Sequence, residues 1–294
     1  MIKITLLSVN FGDWFWLQKN ICLTRQLNQS VKFDWIIVDN NPGSEEDIPD
    51  FFKSPDIKLV RGAEPFLLAD KGSYHHAAGI RIGLQYVKSR FLIIMDPDFY
   101  VVYPDWMNQV ILHMQNRNLV FFGSQWHPRF VTHYHYFPSI HFWIFDLEKV
   151  DKDVLDFTPN IKNSGLKKIA DFLKSKKVKG IYNLVMAGRY PDTGYKIFKK
   201  FSRNMKFKNE CLKIVFDRNS LLKPILNKNE YFVDRGFVAD LNCNTVSLGW
   251  EEFYFEGHPF GFHLRRVGRP GVFDPALEKE LLNDILRKVI SGNR

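Results

Sequence analysis

Short apolar runs alternate with helix-type patterns over the first 120 residues, and this alternation constrains the fold more than any other feature. The apolar runs predict strands at Lys3–Val9, Phe33–Val38, Ile57–Val60, Phe91–Met95 and Leu119–Phe122. Between them, apolar residues at helical spacing predict helices at Trp14–Leu27, Tyr74–Val87 and Pro104–Gln115. The strand runs are continuously apolar, as in a parallel sheet covered on both faces. The pattern therefore predicts an α/β fold with a doubly wound, mostly parallel sheet.

The second part of the chain has a looser pattern. The stretch Trp126–Trp143 is rich in aromatic residues and histidine, and its best strand is Ile140–Leu147. We interpret this stretch mainly as an aromatic core cluster, although it could line a sugar site, and His133-x-His135 could bind zinc. Further predicted elements are helices at Gly165–Lys176, Asp192–Phe201 and Pro275–Ile290, and strands at Leu212–Phe216 and Thr245–Leu248. They predict a smaller antiparallel portion and a C-terminal helix.

Positive charge is concentrated in one segment. The formal net charge is +9, and residues 151–230 hold 19 Lys and Arg against 8 Asp and Glu. Such a segment could meet an anionic membrane surface, an acidic acceptor or nucleic acid, or it could be a solvated lysine-rich face. Nucleic acid is the weakest of these options, because no recognition motif accompanies the charge.

Several features predict a cytoplasmic protein. No apolar run reaches the roughly 18 residues that a membrane span needs. The first residues read as a strand and lack the features of a secretory signal. Cys22, Cys211 and Cys243 are far apart and show no metal-ligand spacing, which is typical of a reducing compartment.

Polar turns follow three of the predicted strands: Ser8-Val9-Asn10, Asp39-Asn40-Asn41 and Asp96-Pro97-Asp98. In open parallel sheets, ligands bind at the carboxyl ends of the strands, so we expect these turns to lie close together. A dinucleotide enzyme would need a glycine-rich turn after the first strand, but the sequence there is NFGDWFW, with one glycine. No P-loop is present either.

The Asp96-Pro97-Asp98 turn, a D-x-D motif, predicts a metal site. Two carboxylates at a buried strand end are costly unless a positive partner meets them. Carboxylate oxygens are ligands for Mg²⁺ and Mn²⁺, and such an ion bridges the oxygens of a diphosphate. The alternative is that Asp98 only caps a turn.

The segments ITLLSVNF, WIIVDNNPG, KGSYHHAAGIRIGLQYVKSRFLIIMDPD and DTGYKI, in this order, resemble a family 2-type glycosyltransferase with the GT-A fold. The resemblance implies a Rossmann-like sheet and a nucleotide-sugar-binding half at residues 1–124. It further implies an acceptor-side half at 125–265, with the basic segment 151–230, and a C-terminal helical extension at 266–294.

The resemblance also implies roles for individual residues. Asp39 would contact the nucleobase or ribose, Asp96 the ribose and the metal, and Asp98 the metal. A C-terminal histidine would complete the metal site, and of the two candidates we place His263 there and His258 in a loop. Other nucleotide-sugar-binding candidates are Ser8, Asn10, Asn40, Lys71, His76 and Arg265.

Asp192 is the candidate catalytic base, since the resemblance places a carboxylate at this landmark. The other interpretation is a plain helix N-cap, for which Asp is a favoured residue, and both roles could hold at once.

The function we expect is therefore a glycosyltransferase that depends on Mn²⁺ or Mg²⁺ and inverts the sugar. It would move the sugar from a nucleoside diphosphate donor to a hydroxyl of a polysaccharide, glycolipid or glycan, with peripheral contact with an anionic membrane as a further hypothesis. The alternatives are a sugar nucleotidyltransferase and a non-catalytic module that binds nucleotide sugars or carbohydrate.

Overall fold

The computed structural model describes residues 3–11, 14–41, 48–62, 72–128, 130, 132–159, 181, 192–215, 232–233, 250–264 and 275–291. The predicted helix Gly165–Lys176 and the predicted strand Thr245–Leu248 lie outside these residues, as does part of the basic segment 151–230. In the described part of the chain, no helix is long and apolar enough to cross a membrane.

Strands and helices alternate as the sequence predicts. In chain order the elements are β1 (Ile4–Asn10), α1 (Trp14–Leu27), β2 (Phe33–Asp39), a 3₁₀ turn (Asp50–Lys53), β3 (Ile57–Arg61), α2 (Gly72–Leu84), β4 (Phe91–Met95), β5 (Phe99–Val101), α3 (Trp106–Asn116), β6 (Phe121–Gly123), β7 (Phe142–Asp146), a 3₁₀ turn (Lys152–Val154), α4 (Tyr195–Phe201), β8 (Asn209–Cys211), β9 (Lys213–Val215), β10 (Phe232–Val233), β11 (Glu251–Phe255), β12 (His258–His263) and α5 (Pro275–Ile290).

Two sheets are present among the described residues. The larger has the order β3-β2-β1-β4-β7-β6-β8. It is mostly parallel, and β7 runs antiparallel to both of its neighbours, β4 and β6. The smaller sheet has the order β10-β9-β11-β12-β5 and is mostly antiparallel. The predicted α/β class, with a smaller antiparallel portion and a C-terminal helix, is confirmed.

Each face of the larger sheet is covered. Leu6 of β1 belongs to a core cluster that includes residues of α1 and α3, whereas Leu7 belongs to a second cluster that includes residues of α2. Successive side chains of a strand point to opposite faces, so both faces of β1 bury apolar residues. This double covering explains why the strand sequences are continuously apolar.

The C-terminal helix α5 packs on α1 and the smaller sheet. Leu282 and Ile285 of α5 share a buried cluster with Trp16 of α1 and Phe262 of β12. The Trp250 indole nitrogen also donates a 3.1 Å hydrogen bond to the Glu278 carboxylate in the first turn of α5. Since β12 carries His263, α5 supports the strand that carries this site residue.

Two helices begin later than predicted. Helix α3 begins at Trp106 rather than Pro104, because Asp105 has a left-handed backbone with φ of 50°. Helix α4 begins at Tyr195 rather than Asp192, because Gly194 before it has φ of 85°. A left-handed residue cannot continue a right-handed helix, so each helix starts after it.

The prediction that His258 lies in a loop is wrong. His258 begins β12 and pairs with Phe255 of β11 across a tight hairpin. The turn residues Glu256 and Gly257 both have positive φ, at 47° and 84°, as two-residue hairpin turns of the I′ type require. His258 is therefore an exposed strand residue at the far end of β12 from His263.

Candidate active site

The predicted polar turns meet at the carboxyl edge of the larger sheet. Asn10 at the end of β1 is in register with Asp39 at the end of β2. Asp96 directly follows β4, which pairs with β1 on the side opposite to β2. In the smaller sheet, His263 of β12 is paired with Phe99 of β5. Because β4 and β5 are separated by the Asp96–Asp98 turn, this pairing brings His263 to the same place.

The Asp96–Asp98 turn is fixed by hydrogen bonds to its backbone. The Phe99 amide donates to the Asp96 carbonyl at 3.1 Å, and the Leu264 amide donates to the Asp98 carbonyl at 3.1 Å. On the other side, the buried Asn20 side chain of α1 donates to the carbonyls of Asp96, Pro97 and Phe99 at 3.4, 3.3 and 2.8 Å. The turn is thus held from a neighbouring helix as well as from the residue that follows β12.

Three imidazoles surround the Asp96 carboxylate. His141 Nδ1 hydrogen bonds with Oδ2 at 2.9 Å, His263 Nε2 lies 3.8 Å from Oδ2, and His76 Nε2 lies 3.5 Å from Oδ1. Burial acts to raise the pKa of Asp96, but the hydrogen bond with His141 and the charges of the three imidazoles outweigh it and lower this pKa to about 2. Asp96 is therefore ionised at neutral pH.

His263 lies between carboxylates on both of its ring nitrogens. Nε2 is 3.3 Å from Asp98 Oδ1, and Nδ1 is 3.5 Å from Oε2 of the buried Glu251. Burial acts to lower the pKa of His263, but Asp98 and Glu251 together raise it to about 9. The ring also stacks on His141, with ring centroids 4.4 Å apart.

The chemistry of these donors fits a divalent cation. One ligand atom each from Asp96, His141 and His263 lies within 4.8 Å of the other two, and Asp98 faces His263 from the turn. Three carboxylates, those of the partly exposed Asp96 and Asp98 and the buried Glu251, lie within 4 Å of the His263 ring nitrogens. Carboxylate with imidazole is a suitable ligand set for a first-row metal ion, and such an ion would take the place of the positive charge that the imidazoles supply.

A cavity of about 250 Å³ adjoins these groups. Its lining includes Asn10, His76, Asp96 and Asp98, and the aromatic residues Phe11 and Trp16. A larger cavity of about 940 Å³ lies at the opposite, amino-terminal end of β1 and β2, beside Lys3 and Phe33. We place the site at the smaller cavity, because it adjoins the carboxyl ends of the strands and the group of acidic residues and histidines.

Asp39 is held at the edge of the sheet. Its Oδ1 accepts hydrogen bonds from Asn10 Nδ2 and from the Asn41 amide, both at 3.2 Å, and Arg61 Nη1 lies 4.0 Å from Oδ2. Burial raises the pKa of Asp39 against the lowering effect of these donors. Asn10 lines the cavity and also contacts Asp39, so it links the ends of β1 and β2 to the site.

Two other predicted residues use their side chains within the protein. The Ser8 hydroxyl donates to the Met95 carbonyl of β4 at 2.6 Å. The Asn40 amide nitrogen donates to the His75 carbonyl of α2 at 2.7 Å. Both bonds hold the elements that carry the site together. Lys71 and Arg265, also predicted to bind the donor, lie outside the described residues.

Asp192 is a partly exposed carboxylate with several donors. Its Oδ1 accepts from the Thr193 amide at 2.7 Å, and its Oδ2 lies 3.5 Å from His133 Nε2. Burial acts to raise the pKa of Asp192, but hydrogen bonds from His133 and Ser73 outweigh it and lower this pKa to about 2. The alternative that Asp192 is the N-cap of the following helix is wrong, because Gly194 occupies that position.

Trp126 links the Asp192 pair to the Asp96 group. Its indole contacts His133 at a centroid distance of 4.0 Å and His141 at 4.5 Å. Asp192 and Asp96 therefore each contact a histidine that packs on the same indole. The aromatic stretch forms buried core, as predicted: Trp126, Tyr134, Phe137 and Trp143 are all buried. His135 Nδ1 hydrogen bonds with the Trp126 carbonyl at 3.2 Å. Among the described residues, the group that could hold a metal ion contains neither His133 nor His135.

The sequence did not single out Asn20, Glu251 or His141. Asn20 and Glu251 carry no local signal, because each contacts residues more than ten positions away. His141 could have been found from strand pairing: it immediately precedes β7, whose Phe142 pairs with Met95 of β4. A histidine next to that pair must lie beside Asp96.

Similar solved structures are distant. The mannosyltransferase PcManGT from Pyrobaculum calidifontis, in complex with GDP-Man and Mn²⁺, is 12% identical over 51% of this chain and 46% of that chain, with a TM-score of 0.39. Two structures of TarS 1–349 from S. aureus are each 9% identical to this chain. The match to the UDP-GlcNAc complex covers 53% of this chain and 48% of that chain, with a TM-score of 0.38. The match to the UDP complex covers 58% of this chain and 55% of that chain, with a TM-score of 0.40.

This chain thus spans about half the length of these structures. At such TM-scores the likeness carries no argument about ligands, and no curated protein matches the sequence. The family model of glycosyl transferase family 2 matches residues 20–173. Because this match spans more than half of the 294 residues, the chain belongs to glycosyl transferase family 2.

Proposed function

We propose that the protein transfers a sugar from a nucleoside diphosphate sugar to an acceptor hydroxyl, with inversion at the sugar carbon and with the help of Mn²⁺ or Mg²⁺. The observation that carries this proposal is the convergence of Asp96, Asp98 and His263 beside a cavity at the carboxyl edge of the sheet. Family membership supports the reaction class.

The ends of β1 and β2 would bind the nucleoside. Asp39 is held by Asn10 and the Asn41 amide through Oδ1, which leaves Oδ2 facing Arg61 at 4.0 Å. A carboxylate in this position can accept hydrogen bonds from ribose hydroxyls or a base N–H group, as acidic residues after the second strand do in related sheets. Asn10, which lines the cavity, would orient Asp39 toward the donor.

Asp96, Asp98 and His263 would hold the metal ion. When bound, the ion neutralises the negative charge that develops on the departing diphosphate. Glu251 lies against the other nitrogen of His263 and would orient the ring, as carboxylates do behind metal-ligating histidines. Asn20 keeps Asp96 and Asp98 in place through the backbone of their turn.

Asp192 would accept the proton of the acceptor hydroxyl. In this step the acceptor oxygen forms a bond to the anomeric carbon, the bond from that carbon to the diphosphate oxygen breaks, and the proton moves to the Asp192 carboxylate. The donors from Thr193, His133 and Ser73 make this carboxylate a weak base. Acceptor binding must therefore loosen at least one of these contacts before the proton is transferred.

The acceptor would be a hydroxyl of a polysaccharide, a glycolipid or another glycan. The basic segment 151–230 suits a cytoplasmic enzyme that contacts an anionic membrane surface where lipid-linked acceptors lie. Co-sedimentation at low salt with vesicles of phosphatidylserine and phosphatidylcholine tests this contact. The idea fails if the protein stays in the supernatant with anionic vesicles.

A panel of UDP-, GDP- and dTDP-sugars, assayed for release of the nucleoside diphosphate with Mn²⁺, Mg²⁺ or EDTA, tests the reaction. We expect turnover with one donor, its loss in EDTA, and a fall of about 100-fold or more in Asp98→Ala. The matched control is Asp34→Ala, which removes an exposed carboxylate from β2. Donor binding without turnover for any acceptor would show a binding module instead, and unchanged turnover in Asp98→Ala would contradict the proposed metal site.

A further inference from the structure

We propose that His141 is a direct ligand of the metal ion, beside Asp96 and His263, and that the two imidazoles make this site select Mn²⁺ over Mg²⁺. The inference deepens the proposed function, since it concerns the same site. It assigns a role to a residue outside the D-x-D motif. It also predicts which of Mn²⁺ and Mg²⁺ binds more tightly, which the two aspartates alone do not.

The distances between the candidate donor atoms suit one ion. A six-coordinate ion with ligand distances near 2.1 Å places adjacent ligand atoms about 3 Å apart and opposite ones about 4.2 Å apart. Asp96 Oδ2 lies 2.9 Å from His141 Nδ1 and 3.8 Å from His263 Nε2. Asp98 Oδ1 lies 3.3 Å from His263 Nε2. These separations fall near or between those two values, so a small adjustment could bring the donors around a single ion.

The fold fixes His141 more firmly than a surface histidine. It immediately precedes β7, and its backbone carbonyl accepts a 2.9 Å hydrogen bond from the Asp96 amide. The ring is buried, makes an edge-on contact with the Trp126 indole and stacks on His263. The ring is thus held beside Asp96 by both backbone and side-chain contacts, as a preorganised ligand would be.

Nitrogen ligands distinguish the two ions. Mg²⁺ is a hard ion that takes oxygen ligands in near-ideal octahedral geometry and dehydrates reluctantly. Imidazole nitrogen is a softer ligand than carboxylate oxygen and suits transition-metal ions. Mn²⁺ is the weakest binder of the first-row series, but as a transition-metal ion it loses less affinity than Mg²⁺ when nitrogen replaces oxygen among its ligands. One histidine in the site weakens Mg²⁺ binding, and a second one, just before β7, adds to the effect. A site of Asp96, Asp98, His141 and His263 therefore favours Mn²⁺.

Pulsed EPR of the protein with Mn²⁺ alone tests the ligand assignment directly, because the couplings of bound ¹⁴N report each coordinated imidazole. We expect nitrogen couplings from two histidines in the unaltered protein, from one in His141→Gln, and from none in the His141→Gln/His263→Gln double variant. His258→Gln removes an exposed histidine from the other end of β12 and should leave the spectrum unchanged. Undiminished nitrogen couplings in His141→Gln, or no Mn²⁺ bound at millimolar concentration, would overturn the proposal.

Calorimetric titration with Mn²⁺ and with Mg²⁺ tests the selectivity. The dissociation constant for Mg²⁺ divided by that for Mn²⁺ should fall by about 10-fold or more in His141→Gln. His141→Asn serves as a second variant if the first does not fold, and a thermal melt without metal checks each. An equal loss of both affinities would show that His141 only positions Asp96, which overturns the ligand role.

The two proposals fail separately. Unaltered two-histidine couplings without sugar transfer from any donor would count against the proposed function alone. Transfer that survives while the couplings of His141 are missing would count against the ligand assignment alone.

Discussion

The side-chain amide of Asn20 donates a 2.8 Å hydrogen bond to the Phe99 carbonyl, and it also reaches the carbonyls of Asp96 and Pro97. Asn20 is fully buried on α1, and Thr24 one turn later donates a hydrogen bond to its side-chain oxygen at 3.3 Å. One amide from a helix therefore serves three backbone groups of the turn that carries both acidic residues. The positions of Asp96 and Asp98 depend on this helix as well as on β4.

Replacing Asn20 should damage both stability and metal binding. Asn20→Asp keeps the shape of the side chain but removes the donor, and it leaves buried carbonyls without this partner. We expect a loss of about 1–3 kcal/mol in the free energy of unfolding and weaker Mn²⁺ binding, measured by urea unfolding and by calorimetry. Gln109→Ala, at an exposed position on α3, should change stability by no more than about 0.5 kcal/mol. Normal Mn²⁺ affinity in Asn20→Asp would show that the turn keeps its metal-binding geometry without the Asn20 hydrogen bonds.

Helix α2 approaches β1 so closely that one of its glycines has no room for a side chain. A Cβ at Gly79 would lie 2.7 Å from Val9 Cγ1 and 3.0 Å from Asn40 Nδ2. Gly79→Ala should therefore cost about 1–3 kcal/mol in the free energy of unfolding through overpacking. Gly72→Ala, at the start of the same helix, meets nothing within 4 Å and should be neutral or stabilising by up to about 1 kcal/mol. Equal effects in urea unfolding would contradict this close approach.

The ionised Asp39 carboxylate should lower the stability of the fold at neutral pH. Burial raises the pKa of Asp39 above its usual value of 3.8, so the unfolded carboxyl ionises at lower pH than the folded one. Stability is therefore lost as the pH rises from about 4 through the folded-state pKa. Asp39→Asn removes this loss, and its stability relative to the unaltered protein should increase over that interval. Urea unfolding at a series of pH values measures it, and a difference that does not vary with pH would contradict the prediction.

The same Asp39 variant should lose donor binding. Hydrogen bonds to a charged group contribute about 1.5–3 kcal/mol, so nucleoside diphosphate affinity should fall by about 10- to 100-fold in Asp39→Asn. Asp34→Asn, on the exposed part of the same strand, should keep its affinity in the same calorimetric titration. A stabilised variant that binds normally would place the nucleoside elsewhere.

Asp192 should stabilise the fold at neutral pH. Its pKa is lowered from 3.8 to about 2, so the ionised carboxylate is favoured in the folded state. The contribution, about 2 kcal/mol, is fully present above pH of about 4 and is lost as the pH falls toward 2. Asp192→Asn should therefore be less stable than the unaltered protein at pH 7, by an amount that shrinks toward pH 3.

A His133 variant tests whether the His133 contact causes the stabilisation by ionised Asp192. Removing this donor in His133→Gln should raise the pKa of Asp192 and so reduce the acid-dependent part of its contribution, although the carboxylate remains. Urea unfolding of both variants between pH 3 and pH 7 measures the two effects. A deficit of Asp192→Asn that stays constant over this range would rule out the proposed stabilisation of the charge.

Local pattern predicted most of the elements well. Helices α1 and α5 and strand β4 have the bounds that periodicity predicts, because each is a long or strongly apolar segment with clear ends. The short strands β5 and β11 were not predicted. Each is stabilised by pairing with distant strands, β5 with β12 and β11 with β9 and β12, and such pairing leaves little trace in a short sequence.

The start of α3 and of α4 shows a different limit. Pro104 and Asp192 are residues typical of helix starts. The left-handed backbone of Asp105 and Gly194, which follows from the tertiary path of the chain, moves both starts toward the C-terminus. Residue preferences therefore locate a helix start only approximately, and the tertiary packing decides at which residue the helix begins.

The sequence by itself determined the alternation of strands and helices, the family, and the placement of Asp39, Asp96 and Asp98 after buried strands, because local periodicity and turn chemistry are written in neighbouring residues. Only the tertiary structure decided that His141 and Glu251 stand around the same site as His263, and that Asn20 holds the turn. These residues are brought together by strand pairing and helix packing over long stretches of chain, and the energy of such contacts depends on shape and burial that no local spacing records.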